Sequence, residues 1–165
     1  MNCPVCGRAL EPMTVGDLTV DVCRGGCGGI WFDRLELAKV DNEEEAAGEA
    51  LLDIERSPAV PVDLEARRRC PKCRDIVMMR HFYGPTRQVE VDECAQCGGV
   101  WLDAGELAAA RRQYKTEAER RQAAHEFALN VFGTQLGGPP PGRLGDLPPH
   151  LITVDRLLRF VLHRP

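Results

Sequence analysis

Eight cysteines in four close pairs, Cys3/Cys6, Cys23/Cys27, Cys70/Cys73 and Cys94/Cys97, constrain this chain more than any other feature, and none is left over. The pairs belong to two copies of one unit. Cys3-Pro4-Val5-Cys6 matches Cys70-Pro71-Lys72-Cys73, and Cys27-Gly28-Gly29-Ile30-Trp31-Phe32-Asp33 matches Cys97-Gly98-Gly99-Val100-Trp101-Leu102-Asp103. The match runs on into Glu36-Leu37-Ala38 and Glu106-Leu107-Ala108. Self-similarity over such a frame marks a duplicated structural unit.

A C-x2-C pair on a tight turn places two sulfurs on one side of a metal, and a second pair completes a tetrahedron with metal–sulfur distances of about 2.3 Å. The second repeat offers Cys70, Cys73, Cys94 and Cys97, two C-x2-C pairs separated by twenty residues. The first offers Cys3, Cys6, Cys23 and Cys27, with sixteen residues between pairs and a C-x3-C second pair created by Arg24-Gly25-Gly26. Both frames have zinc-site spacing. Glycines can take the positive φ of a widened turn. A glycine after the last cysteine of each repeat also lets backbone amides approach the thiolate. Two zinc ions per chain are therefore expected. Disulfides would need export, and Met1-Asn2-Cys3-Pro4 opens no signal peptide. Rubredoxin-like iron and an exchangeable or catalytic zinc would use the same thiolates and stay open on sequence alone.

With 165 residues, 5% aromatic and 28% charged, the chain suits two small units with sparse cores. Metal binding, which can supply about 10 to 16 kcal/mol of folding free energy, is expected to dominate their stability. A net charge of −4 disfavours tight nonspecific binding of nucleic acid. No stretch approaches the roughly eighteen apolar residues of a membrane span, and a cytoplasmic location is expected.

Leu18-Thr19-Val20-Asp21-Val22 and Arg87-Gln88-Val89-Glu90-Val91-Asp92 alternate as strands do, with Gly16-Asp17 and Tyr83-Gly84-Pro85 as turns. After each tryptophan, Asp33…Glu36 and Asp103…Glu106 have the three-residue spacing of a capping box. The predicted fold is small α+β: two tandem zinc ribbons, each followed by an α-helix, with a flexible Gly/Pro-rich segment and a short C-terminal helix. The first helix fades within Asp41–Glu45 or runs to Arg56; the second runs from Ala104 to Phe132, with Ala124, Phe127, Ala128 and Val131 on one face. The expected domains are ribbon 1 with its helix over 1–56, a linker over 57–69, and ribbon 2 with its long helix over 70–132. A Gly/Pro-rich spacer over 133–149 and an amphipathic segment over 150–165 complete the chain.

The remaining candidates have plainer explanations. Trp31 and Trp101 sit between knuckle and helix, where packing explains them better than base stacking. Arg67-Arg68-Arg69 with Lys72 and Arg74, and Arg111-Arg112 with Lys115, Arg120 and Arg121, form two basic clusters. They read as solvated faces interleaved with Glu117 and Glu119, with phosphate binding as the alternative. His81, beside Phe82 and Tyr83, adds nothing where four cysteines satisfy each metal, and His125, His150 and His163 have no ligand spacing. No nucleophile elbow, phosphate loop or zinc-protease motif occurs, so an enzyme is not expected.

The string Cys97-Gly98-Gly99-Val100-Trp101-Leu102-Asp103-Ala104-Gly105-Glu106-Leu107, preceded by Cys70-Pro71-Lys72-Cys73, resembles the transcription factor IIB-type zinc-ribbon family of small bacterial proteins. The first repeat looks like a second copy. The resemblance covers about half the chain and implies zinc at Cys3, Cys6, Cys23, Cys27, Cys70, Cys73, Cys94 and Cys97, in a ribbon leading into a helix. It does not imply DNA binding, because a fold does not carry a function. The expected function is a zinc-binding adaptor or regulatory protein that meets a protein partner through residues 150–165. A nucleic-acid-binding, transcription-related regulator and a redox or zinc-transfer protein are the alternatives. Oligomeric state and the packing of one ribbon on the other are not readable from sequence.

Overall fold

The structure, a computed structural model, describes residues 1–135 apart from 42, 44 and 45. The 150–165 segment and most of the 133–149 spacer lie outside the described residues. The chain divides into two compact units, residues 1–122 and 123–165.

Each repeat folds as three antiparallel strands, β1 (Glu11–Val15), β2 (Leu18–Val22) and β3 (Ile30–Phe32) in the first, β4 (Met79–Phe82), β5 (Glu90–Glu93) and β6 (Val100–Leu102) in the second. Gly16-Asp17 closes the β1–β2 hairpin at the Val15↔Leu18 pair, Gly16 taking φ +61°. The two repeats form one sheet, ordered β1-β2-β3-β6-β5-β4, because β3 pairs with β6. In that central pair Trp31 lies opposite Trp101, Ile30 opposite Leu102 and Phe32 opposite Val100. The strand order reads the same from either edge, so the duplication in sequence becomes a pseudo-twofold in space.

Pairing pools the apolar faces of both repeats. Leu18, Val20 and Val22 of β2 are buried in alternation, as the period-2 pattern predicts. They join Ile30, Phe32, Leu37 and Val40 of the first repeat and Val91, Leu102 and Leu107 of the second in one core. A second cluster gathers cysteines from both repeats around Trp31, Trp101 and Met78. The expectation of sparse cores is corrected here: a repeat alone is poor in apolar residues, but two sharing one sheet make a core containing no cysteine.

The helices depart from expectation. After the first repeat comes only a 3-10 turn (Leu37–Lys39), then the single α turn α1 (Ala46–Ala50). The long helix predicted over Ala104 to Phe132 is two helices, α2 (Glu106–Arg111) and α3 (Glu117–Gln135), and α3 continues past Gly133. The break has a local cause in Thr116-Glu117-Ala118-Glu119, a capping box the sequence displays. Thr116 Oγ1 accepts from the Glu119 N–H at 3.1 Å, and Glu119 Oε2 accepts from the Lys115 N–H at 2.9 Å. On α3, Phe127 stays exposed and Ala124, Ala128 and Val131 are half-buried, so the proposed apolar face is not a core face.

Residues 57–69, expected as a linker, pack against the repeats. The Gly25 N–H donates to the Glu55 carbonyl at 2.8 Å and the Ser57 N–H to the Gly26 carbonyl at 2.9 Å. Val60 and Val62 pack on the cysteine cluster.

Three non-glycine residues hold left-handed backbone where the other repeat has glycine. Leu35 has φ +69° and its counterpart Gly105 φ +92°; Arg74 has φ +59° and its counterpart Gly7 φ +74°; Arg87 has φ +53° and its counterpart Gly16 φ +61°. A side chain in that region costs about 1 to 2 kcal/mol.

Candidate metal centres

Cys3 and Cys6 sit before β1, Cys23 and Cys27 between β2 and β3; Cys70, Cys73, Cys94 and Cys97 occupy the same places in the second repeat. Three of the four pairs close the same loop, with the Gly7, Arg74 and Gly98 N–H groups donating to the carbonyls of Cys3, Cys70 and Cys94 at 3.0, 2.8 and 2.8 Å. The fourth carries the extra residue. There the Gly28 N–H reaches the Cys23 carbonyl at 3.1 Å across one more residue, and the Gly26 N–H bonds the same carbonyl at 3.3 Å. Gly25 takes φ +62°, and a Cβ on Gly26 would lie 2.5 Å from the Cys23 sulfur. The widened turn therefore requires both glycines, one for its dihedral and one for space.

The structure brings all eight cysteines together in two groups, Cys3/Cys6/Cys23/Cys27 and Cys70/Cys73/Cys94/Cys97, and within each the sulfurs lie within 4.8 Å of one another. All eight are free. Cys3 and Cys27 sulfurs are 3.4 Å apart, as are those of Cys6 and Cys23, and Cys70 and Cys97 are 3.7 Å apart. A zinc ion bound to four thiolates at about 2.3 Å sets sulfur–sulfur edges of about 3.8 Å, so the donors stand close to their ligating positions. Backbone amides already point at sulfur, Val5 N–H at Cys3 (3.4 Å) and Cys73 N–H at Cys70 (3.2 Å), which stabilises thiolate.

The electrostatics call for a cation. Burial and a neighbouring sulfur push the Cys23 thiol up to about 11, and burial pushes Cys70 up to about 12. The bond to Cys27, together with burial, raises Cys3 further. At Cys6 burial acts upward, but bonds from the Arg8 amide and neighbouring thiols outweigh it and bring the group down to about 7. Cys94 is also at about 7, with the Cys97 and Gln96 amides overcoming burial. Each cluster can thus part with a first proton near neutrality, and further ionisation needs a divalent positive charge. Each cluster offers four cysteine thiolates to one zinc ion.

Around the sulfurs the repeats interlock. Trp31 and Trp101 are both buried, and each ring lies over the other repeat's glycine. A Cβ on Gly29 would sit 2.2 Å from Trp101 Cζ2, and one on Gly99 2.1 Å from Trp31 Cζ2. Nothing in the Cys-Gly-Gly doublet foretold why its second glycine is needed. The indoles donate to Asp33 (3.3 Å) and Asp103 (2.8 Å). The capping box is thus half formed: Glu36 and Glu106 accept from the Asp33 and Asp103 N–H groups at 2.7 and 2.8 Å, while the aspartate carboxylates turn to the tryptophans.

The basic clusters are mostly solvated faces, as expected: Arg67, Arg69, Lys72, Arg74, Arg112, Lys115 and Arg121 are exposed, Arg120 is half-buried, and only Arg68 and Arg111 turn inward. Arg68 is 3% exposed, paired with Asp103 at 2.9 Å. Buried Arg111 donates to the Val40 carbonyl at 2.8 Å. Arg67 bonds the Met78 carbonyl, Arg120 and Arg121 bond Glu117, and Lys72 bonds Asp33 at the surface. His81 pairs with Glu93 at 2.8 Å, away from both sulfur groups. Buried Asp41 accepts from the Tyr83 hydroxyl.

The profile of the transcription factor zinc-finger family, the TFIIB-type zinc ribbon, matches residues 2–42 and again 69–111, which together make up about half of the chain. The chain belongs to this family. The two matches are its two tandem zinc ribbons, and each encloses one four-cysteine cluster with its three strands. Comparisons with curated proteins and with solved structures find no match for the zinc-ribbon chain. Among the described residues, no helix of this double ribbon is long and apolar enough to cross a membrane.

Proposed function

We propose that the protein is a cytoplasmic, non-enzymatic adaptor or regulator that uses two zinc-stabilised ribbons as a rigid platform for macromolecular partners. The observation that supports it best is the closed donor set. Four thiolates fill a tetrahedral zinc and leave no open position for substrate. The carboxylates that resemble acid–base pairs are engaged elsewhere, Asp33 and Asp103 with indoles, Glu36 and Glu106 with backbone. Protein is favoured over nucleic acid as the partner because Arg68 and Arg111 face inward. The nucleic-acid alternative keeps in its favour the exposed cations Arg34, Lys72 and Arg74, with Arg67, Arg69, Arg112, Lys115 and Arg121 of the two basic clusters.

Metal analysis with oligonucleotide titration tests this. Two zinc ions per chain, slow to leave for a chelator, and no oligonucleotide binding at low salt are expected. Salt-sensitive binding of DNA or RNA would replace the adaptor by the regulator. Metal that passes quickly to a competing thiol protein would replace it by zinc transfer.

A further inference from the structure

The pseudo-twofold supplies an internal control, since each position at one metal site has a counterpart at the other. The residues following Asp33 reach the second cluster: Arg34 Cδ lies 3.1 Å from where a Cβ on Gly98 would stand. The residue following Asp103 reaches the first, Ala104 Cβ lying 3.4 Å from where a Cβ on Gly28 would stand. The rim of the second cluster therefore carries Arg34 and Leu35 from one repeat and Lys72 and Arg74 from the other. The equivalent positions at the first are Ala104, Gly105, Val5 and Gly7.

All four differ in one direction, from small and neutral to long, and three of the four are cations. Arg34, Leu35, Lys72 and Arg74 are all exposed, Leu35 by 65%. Leu35 and Arg74, like Arg87 at the β4–β5 turn, are held in left-handed backbone where their counterparts are glycine. Folding favours glycine at such places, so the backbone does not explain why these two side chains are there. The nearby anions are Asp33, bonded to Lys72, and Asp75. The first cluster has cations in Arg8 and Arg56, whose stems lie over Gly26 and Gly28, and in exposed Arg24 within its widened knuckle, paired with Glu11, but only small neutral residues at the four equivalent positions.

We propose that the rim of the second zinc site is a docking surface for an acidic protein segment carrying an apolar side chain. Leu35 meets that side chain, and Arg34, Lys72 and Arg74 meet the carboxylates. The exposed leucine selects peptide over nucleic acid, because it offers nothing to a phosphate. The inference rests on the adaptor reading and adds where its partner sits.

The test is an NMR titration of the zinc-loaded full chain with short synthetic peptides: one rich in Asp and Glu with a central Leu, the same with Ser for Leu, and a Lys-rich one with Leu. A single-stranded oligonucleotide completes the set. The acidic Leu peptide is expected to shift the amides of Arg34, Leu35, Lys72 and Arg74. Its affinity should fall about tenfold with Leu35→Gly, while the Tm of that variant stays level or rises. Equal affinity for the variant, or shifts confined to other residues, would overturn this surface and leave the adaptor standing. Stronger shifts of the same amides by the oligonucleotide would assign the rim to nucleic acid instead. Absence of binding by any peptide would overturn this surface and leave the adaptor reading to its own test.

Discussion

The two metal centres share a frame and differ by one residue in the second knuckle and four between the knuckles, and their surroundings diverge. At the second, both knuckles are regular and need no glycine beyond Gly98, and Arg74 even occupies the left-handed position after Cys73. At the first, the turn widened by Arg24-Gly25-Gly26 depends on two glycines, and its freed backbone groups bind the segment at Glu55–Ser57. The extra residue makes the first knuckle an attachment point for the chain that leads to the second repeat. The aspartates diverge in the same way. Asp33 and Asp103 both accept from a tryptophan, but Asp33 faces an exposed lysine and Asp103 a buried arginine.

The largest effect should come from metal. Cys94→Ser is expected to lower zinc content from two ions per chain toward one and to remove much of the roughly 10 kcal/mol a structural zinc supplies, read by metal analysis and chemical denaturation. Because β3 pairs with β6, the surviving first site should also bind zinc more weakly. Unchanged affinity there would show that the repeats are energetically independent.

Next come the aspartate partners. Arg68→Ala leaves Asp103 buried and unpaired and should cost about 3 to 5 kcal/mol, whereas Lys72→Ala breaks an exposed pair and should cost under about 1 kcal/mol. Similar losses would erase the distinction between the two sites.

Gly29→Ala and Gly99→Ala should each lose about 1 to 3 kcal/mol by forcing a methyl into the opposite tryptophan. The pseudo-twofold predicts near-equal values in thermal unfolding, and a large inequality would break it. Gly26→Ala should act mainly at its own site, weakening zinc at the first more than at the second in a chelator competition.

A further effect concerns pH. Burial, with Asp103 and Asp92 nearby, raises the Glu106 carboxyl from its ordinary value to about 7. The folded state then holds this proton more tightly than the unfolded one. Its stabilising contribution is complete below the ordinary pKa of about 4.5 and is lost as pH rises through about 7. Glu106→Gln, which keeps an acceptor for the Asp103 N–H, should gain in stability relative to wild type as pH goes from about 5 to about 8. A constant difference across that window would contradict the raised value.

Much of this was legible in the cysteine frame. The spacing pointed to the two four-sulfur groups, the alternation of Leu18, Val20 and Val22 to a half-buried strand, and the duplication to two ribbons. What remained hidden depends on contacts between the repeats. Ile30-Trp31-Phe32 and Val100-Trp101-Leu102 are short enough that no periodicity announces a strand, and their mutual pairing produces the shared core. Arg68 and Arg111 look like surface charges because sequence does not show Asp103 or the Val40 carbonyl waiting for them. The Thr116–Glu119 box was visible, but the long helical pattern on either side of it masked the break.

The central β3–β6 pair also bears on mass action. A repeat excised from the chain would present an unpaired strand and a tryptophan with no glycine to cover, and a second copy would supply both. Association of that kind weakens with dilution. With both repeats on one polypeptide, each meets its complement at an effective concentration of about millimolar, so the platform persists however scarce the protein becomes.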